Sequence, residues 1–310
     1  MSNKIQTNEQ DRILEGRIKF LPEHQGRTVT RIDTNRGNAR TYDVAGAGEY
    51  RSVTSSIAIL NKPAIPAWAT KIALLNLRGT LENLNALEAL TKEADKKNAA
   101  YKKKGKDTRV SWMDLATSQA SSAPNRAKKV AGDFGEDAHI LVEKIATAGN
   151  LVGESYPVEE WPNHARIAEG FKMWVRDAGI TLVASELMVW HPEYGEEPSP
   201  GYGGTIDLVG RLHDGSLAVI DVKTGGVYNE AAYQIAAYAT ALEYLTGEWV
   251  TEAWVLQLPR EMDENNPDNY YNAMQLDSIV YWFSQFELMH KLAPGTKLSA
   301  FTSSEDSEED

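Results

Sequence analysis

An aspartate and a lysine two residues apart interrupt the apolar run LAVIDVKTG. In a strand, Asp221 and Lys223 would emerge on one face, because strand side chains alternate with a period of two. The preceding candidate strand, GGTIDLVG, carries Asp207, and the turn at residues 213–215 (His-Asp-Gly) makes the two strands neighbours. The pattern therefore predicts that Asp207 approaches Asp221, with Lys223 beside them.

Two carboxylates that lie this close repel each other unless a cation lies between them. We therefore expect Asp207 and Asp221 to bind one or two Mg²⁺ or Mn²⁺ ions, with the backbone carbonyl of Val222 as a further ligand. Lys223 would position, or help to deprotonate, the water that attacks phosphorus. The predicted chemistry is metal-assisted hydrolysis of a phosphodiester bond.

The helices predicted on either side of this hairpin carry polar residues at four-residue spacing. Upstream, GEDAHILVE places Gly135, His139 and Glu143 on one helix face, which makes His139 a further candidate metal ligand. Downstream, YQIAAYATAL places Gln234 and Tyr238 on one face, where they would contact a DNA strand or brace Lys223. An isolated histidine on a helix is more often a structural hydrogen-bonding group than a metal ligand. The prediction for His139 therefore depends on its combination with the other motifs.

The surrounding elements follow in the order helix, three strands, helix, strand. Hydrophobic periodicity predicts helices at 124–149, 162–177, 229–245 and 272–292, and strands at 180–190, 203–212, 216–224 and 249–258. This order predicts an α/β sandwich around a mixed sheet flanked by helices, with its core at 124–295.

Residues 1–123 are predicted to be a helix-rich addition to that core. Residues 27–53 alternate like short strands or a hairpin, and residues 52–77 are typical of two helices separated by prolines. Residues 92–109 carry eight basic and three acidic residues, which indicates either a solvated segment or a surface that guides DNA. Residues 296–310 end in SSEDSEED and are predicted to be a disordered acidic tail.

Composition excludes several classes of site. The chain has no cysteine, which excludes disulfides, thiol nucleophiles and cysteine-bound iron–sulfur clusters or zinc. Its formal net charge of -12 argues against a protein that coats nucleic acid through bulk electrostatics. No run of eighteen apolar residues and no apolar signal-peptide core is present, so we expect a soluble, intracellular protein without a membrane partner.

The motifs, taken in order, resemble the RecB-like branch of the PD-(D/E)XK nucleases, which includes phage recombination exonucleases and CRISPR-associated exonucleases. That branch has G-x-x-x-H-x-x-x-E, then G-x-[IV]-D, then [DE]-x-K, then Q-x-x-x-Y. The resemblance covers roughly residues 130–258 and rests on Gly135-His139-Glu143, Gly204-Thr205-Ile206-Asp207, Asp221-Val222-Lys223 and Gln234-Tyr238. It implies a restriction-endonuclease-like αβββαβ core.

The resemblance also implies roles for individual residues. His139, Asp207 and Asp221 would bind metal, Lys223 would be the catalytic lysine, and Gln234 and Tyr238 would assist. Glu143 and Glu186 are supporting candidates. The segment SVTSSIAILNKPAIPAWATKIA also looks like the N-terminal region of phage proteins of this kind, which makes Lys62, Trp68 and Lys71 candidate DNA contacts; the lysine run adds Lys102, Lys103 and Lys104.

Many members of this branch bind an iron–sulfur cluster through four cysteines, and their absence favours a cluster-free phage or prophage exonuclease. The resemblance then implies digestion of linear, end-bearing DNA during recombination, replication or repair, in the cytoplasm of a bacterial host. A single-strand annealing or recombinase protein would be its partner, and related ring-shaped trimers leave a homo-oligomer open. Two alternatives remain, a structure-specific endonuclease and a weakly catalytic DNA-binding partner of a recombination complex.

Overall fold

The computed structural model of the chain describes residues 3–8, 18–33, 40–60, 64–147, 164–192 and 201–293. The chain divides into two compact units, residues 1–60 with 137–310, and residues 61–136. The division differs from the one expected from sequence, because residues 1–60 contribute strands to the main sheet instead of belonging with the helical addition. The predicted tail lies outside the described residues.

Nine strands among the described residues form one mixed sheet in the first unit. They are β1 (Asn3–Asn8), β2 (Thr28–Asp33), β3 (Arg40–Val44), β4 (Gly48–Ser52), β5 (Thr181–His191), β6 (Tyr202–Arg211), β7 (Leu217–Lys223), β8 (Val250–Gln257) and β9 (Asn272–Gln275). The order is β1-β2-β3-β4-β6-β7-β8-β9, and β5 also pairs with β6. The β4–β6 and β7–β8 pairs are parallel and the others antiparallel. The predicted α/β class with a mixed sheet flanked by helices is confirmed.

Seven helices are described. They are α1 (Val53–Ile57), α2 (Ala64–Glu82), α3 (Leu84–Lys103), α4 (Trp112–Thr147), α5 (Ala165–Ala178), α6 (Glu230–Thr246) and α7 (Ile279–Leu292). None of them combines the length and the apolar character that crossing a membrane requires.

Two predicted helices differ from the structure. The helix predicted from residue 124 is the second part of α4, which runs through Pro124. Pro124 lacks the N–H for one backbone hydrogen bond, and in the turn before it Arg126 and Ser122 both donate to the carbonyl of Gln119. The helix predicted at 272–292 was wrong at its start, because residues 272–275 pair with the edge of β8 and the Ser278 side chain caps a helix that begins only afterwards.

The core lies where α6 covers the middle of the sheet. β7 is buried along its whole length except at Lys223, as expected for a strand with neighbours on both edges and cover on both faces. α6 packs against β5 and β8, and its alanine-rich sequence lets the helix backbone lie close to the strands. This close packing fixes the start of α6, which carries Gln234, next to the end of β7.

Candidate metal centre

The candidate site lies at an opening along one edge of β6. β5 pairs with β6 along its other edge, from residue 202 to 211. On the edge in question, β4 pairs only at residues 202 and 203, and β7 only at residues 208–211. The stretch Gly204–Asp207 lies between them, paired with neither strand on that edge. We call this opening the fork, and it coincides with the G-x-[IV]-D motif.

Asp207 and Asp221 meet at the fork, as the sequence predicted. Asp207 Oδ2 accepts a hydrogen bond of 2.7 Å from the backbone N–H of Val222, which spans the opening between β6 and β7. Asp221 is 1% exposed, and its Oδ2 lies 2.6 Å from Lys223 Nζ. The Lys223 side chain is still 32% exposed, so the ammonium group borders solvent while its carboxylate partner does not.

Two more side chains complete the cluster. His139, near the end of α4, places Nδ1 3.5 Å from Asp207 Oδ1 and 3.8 Å from Glu186 Oε1. Ligand atoms of His139, Glu186 and Asp207 all lie within 4.8 Å of one another, a separation that one ion can bridge. The structure therefore places His139, the predicted metal ligand, and Glu186, the supporting candidate, beside Asp207. That they bind a metal stays a prediction.

The backbone of Glu186 is unusual. Its φ is 47°, in the left-handed region that residues other than glycine rarely adopt. Glu186 lies between the Ser185–Leu208 and Leu187–Ile206 pairs of the β5–β6 ladder, and thus opposite Asp207. Such a conformation costs on the order of 1–3 kcal/mol, and strain of this kind is found mostly at binding and catalytic sites.

The carboxylates of the cluster concentrate negative charge around His139. Burial acts to lower the pKa of His139, but the Asp207 and Glu186 carboxylates outweigh burial and raise that pKa to about 10. Burial also acts to raise the pKa of Asp207, and the neighbouring charges of His139 and Lys223 outweigh it and lower the pKa. A proton on the His139 imidazole therefore offsets part of the negative charge of Asp207 and Glu186. A divalent ion in the same position would offset more of it.

Asp221 and Lys223 are held together by burial and by charge. Burial raises the pKa of Asp221, and the charge of Asp207 adds to this rise. Burial acts to lower the pKa of Lys223, but Asp221 and Asp207 outweigh it and raise the pKa, so Lys223 is positively charged at neutral pH. The two carboxylates therefore oppose the loss of a proton from Lys223.

Gln234 and Tyr238 brace this pair from α6. Gln234 Nε2 lies 3.1 Å from Asp221 Oδ1 and 3.1 Å from the hydroxyl of Tyr238. The sequence predicted that these residues brace Lys223 or contact DNA. Gln234 contacts Asp221, the ion-pair partner of Lys223, and Tyr238 contacts Gln234. The contact with DNA stays a prediction.

The glycine of the G-x-[IV]-D motif, Gly204, lies against the ring of Tyr238. A Cβ atom at this position would overlap the ring of Tyr238. We expect Gly204→Ala to push Tyr238 off Gln234, to destabilise the protein by about 1–3 kcal/mol, and to reduce activity through the misplaced Asp221. Thermal unfolding and initial rates measure both effects. Gly225→Ala, in the loop after β7 with open space around it, is the matched control and is expected to leave both unchanged; equal effects of the two substitutions would contradict this role.

The other candidate residues do not belong to the group formed by His139, Glu186 and Asp207. Glu143 lies one turn after His139 on α4 and is not part of the three-residue group. Val222 contributes its N–H to the site, and the role of its carbonyl stays a prediction. In the second unit, Trp68 and Lys71 are exposed on α2, and Lys102, Lys103 and Lys104 are exposed at the end of α3. Lys62 lies outside the described residues.

Comparison with known proteins gave little. No family model and no curated protein matches the chain. Among solved structures, the chain is similar to the crystal structure of SSO0001, with 11% sequence identity and a TM-score of 0.25, over 50% of this chain and 87% of that chain. A likeness at that score says nothing about fold or function.

Proposed function

We propose that this protein is a metal-dependent DNA nuclease with a PD-(D/E)XK core. The observation that carries the proposal is the junction of two groups at one opening of the sheet. A candidate cation site, His139 with Glu186 and Asp207, adjoins a buried Asp221–Lys223 pair whose lysine reaches solvent. The order of the motifs along the chain, and their positions on α4, β6, β7 and α6, support the same assignment.

The donor set fits Mg²⁺ or Mn²⁺. Carboxylates and an imidazole are ligands that both ions accept, and the two carboxylates that raise the pKa of His139 support a pocket that attracts positive charge. His139, Glu186 and Asp207 would hold the ion, with Asp221 next to them. When bound, such an ion acidifies water and offsets negative charge on a phosphate.

The chain's own residues then divide the remaining work. Because the carboxylates keep Lys223 protonated, we assign it to orienting the attacking water and stabilising charge on the phosphate, in preference to removing a proton. Asp221 holds the ammonium group in place at 2.6 Å, and Gln234 fixes Asp221 from the other side. The Val222 N–H fixes Asp207 Oδ2, which leaves Oδ1 facing His139.

The substrate proposed is linear DNA, digested from its ends in a phage or prophage setting, with a single-strand annealing or recombinase protein as partner. Incubating the protein with end-labelled linear DNA and with a closed circle, in Mg²⁺, in Mn²⁺ and in EDTA, tests this. We expect metal-dependent loss of the linear DNA alone. Cleavage of both substrates would indicate an endonuclease instead of an exonuclease. Cleavage of neither would contradict the proposal that the protein is a nuclease.

Metal binding should also be visible without DNA. At 100 times its dissociation constant an ion that binds only the folded state adds about 2.7 kcal/mol of stability. We expect Mn²⁺ to raise the unfolding temperature by roughly 5–10 °C, and His139→Ala to abolish most of that rise. His213→Ala, at an exposed histidine in the β6–β7 turn, serves as the control and should keep the full shift. An equal shift in wild type and His139→Ala would place the ion elsewhere.

A further inference from the structure

A second charged cluster lies beside the fork, on strands that the sequence did not connect with the site. Arg40 Nε lies 2.7 Å from Asp33 Oδ1, and Arg31 Nε lies 3.3 Å from Asp33 Oδ2. Among the residues that the structure describes, two guanidinium groups therefore share one carboxylate, which leaves a net positive charge. The side chains of Arg31 and Arg40 are only 22% and 36% exposed. A partly buried positive cluster is costly to keep unless it has an anionic partner.

The strand register places Arg40 at the fork. β4 ends at Ser52, where the chain turns into α1. β3 pairs with β4 from Thr41 onward, and β4 pairs with β6 only as far as Gly203. Arg40 at the start of β3 and Thr205 on β6 therefore lie near the end of β4, next to the stretch of β6 that pairs with neither β4 nor β7.

Two hydroxyl groups connect the arginines with the metal centre. The Tyr42 hydroxyl lies 2.9 Å from Thr205 Oγ1. Burial raises the pKa of Tyr42, and the charges of Arg40 and Arg31 act against that rise, so both guanidinium groups act on the same hydroxyl. Thr205 precedes Asp207 by two residues on one face of β6, a separation of about 6–7 Å along the strand.

We propose that Arg40, with the Thr205 hydroxyl that the buried Tyr42 holds in place, binds a phosphate group of the substrate strand next to the phosphate that is cleaved. This inference rests on the proposed function and names a second point of contact for the same strand. Asp33 holds the Nε of Arg40 and thereby orients the guanidinium group, whose terminal nitrogens match two phosphate oxygens. Arg31 adds charge behind it. The fork would then hold one phosphate at the metal and the next at Arg40.

The test separates binding from cleavage. Affinity for a fluorescein-labelled linear duplex is measured by anisotropy in EDTA, and KM and kcat are measured separately in Mn²⁺. Arg40→Gln is expected to weaken metal-free binding about tenfold, the equivalent of one charge-assisted hydrogen bond, and to raise KM with little change in kcat, because a contact to a phosphate that does not react contributes equally before and during the reaction. Arg40→Lys should recover part of the affinity.

The matched control is Lys19→Gln, which also removes a positive charge. Lys19 is exposed and lies two residues before Leu21, whose N–H bonds to Leu245 near the end of α6, away from Gln234. We expect this variant to change neither the affinity for DNA nor KM. Tyr42→Phe removes only the hydroxyl and provides a second variant if Arg40→Gln unfolds. Unchanged affinity and KM in both Arg40→Gln and Tyr42→Phe would overturn the inference even if the wild type cleaves DNA. Weaker binding of Arg40→Gln by a protein that does not cleave would support it while the proposed function fails.

The ligand can come from two sources, a terminal phosphate monoester or an internal phosphodiester. Duplexes with and without phosphate at their ends distinguish them. If the loss of affinity in Arg40→Gln is confined to phosphorylated ends, the site binds the terminal group. If the loss is the same for both duplexes, the site binds an internal phosphate of the strand.

Discussion

Asp221→Asn is expected to reduce DNA cleavage by about 10³-fold or more, the scale of losing a group that organises transition-state charge. The substitution keeps the shape of the side chain and its contact with Gln234, but removes the charge that holds Lys223 Nζ at 2.6 Å and that lies next to the proposed metal ligands. Stability should be unchanged or higher, because burial raises the pKa of Asp221 and the neutral amide is easier to bury. Single-turnover rates and thermal unfolding measure the two effects.

The matched control is Asp43→Asn, the same change at an exposed aspartate on β3. Its cleavage rate should stay within about twofold of the wild type, as is usual for a surface substitution away from a site. If Asp221→Asn retained most of the wild-type rate, Asp221 would not belong to the catalytic centre. If both variants lost activity, the effect would reflect general charge and not this position.

Lys223→Met is expected to lower cleavage by about 10²–10³-fold and, unlike Asp221→Asn, to destabilise the fold. Removing the lysine leaves the carboxylate of Asp221, which is 1% exposed, without its cation. An uncompensated buried charge typically costs about 3–5 kcal/mol. The asymmetry arises because Lys223 is 32% exposed and reaches water by itself, whereas Asp221 does not.

The double variant Asp221→Asn with Lys223→Met separates this explanation from simple loss of packing. Because the pair is removed together, the double variant should recover most of the stability lost in Lys223→Met, while activity stays absent. Unfolding temperatures of the four proteins provide the measurement. Additive destabilisation would show that the lysine contributes through its aliphatic chain and not through its charge.

The predictable part of the site is the part carried by short-range patterns. Asp207, Asp221 and Lys223 could be placed together because strand alternation and a tight turn fix their relation locally. His139 could be added because four-residue spacing puts it on one helix face in the right order along the chain. Glu186 was the harder case, because its left-handed backbone conformation leaves no mark in the local sequence pattern.

What escaped the sequence depends on long-range pairing. β4 pairs with β6 through Arg51–Tyr202 and Ser52–Gly203, although about 150 residues separate the two strands along the chain. No local pattern specifies such a partner, so the N-terminal strands were assigned to a separate addition. Arg40 and Tyr42 went unrecognised for the same reason. The contact of Gly204 with Tyr238 likewise connects an element before β7 with one after it.

The position of Mn²⁺ in crystals of the protein, located by its anomalous scattering, tests the proposed metal site most directly. We predict a peak at the fork, within coordination distance of His139, Glu186 and Asp207, that disappears when His139 is replaced by Ala. A protein that cleaves DNA in Mn²⁺ but whose crystals, at the same Mn²⁺ concentration, show no peak at the fork would contradict the proposed site.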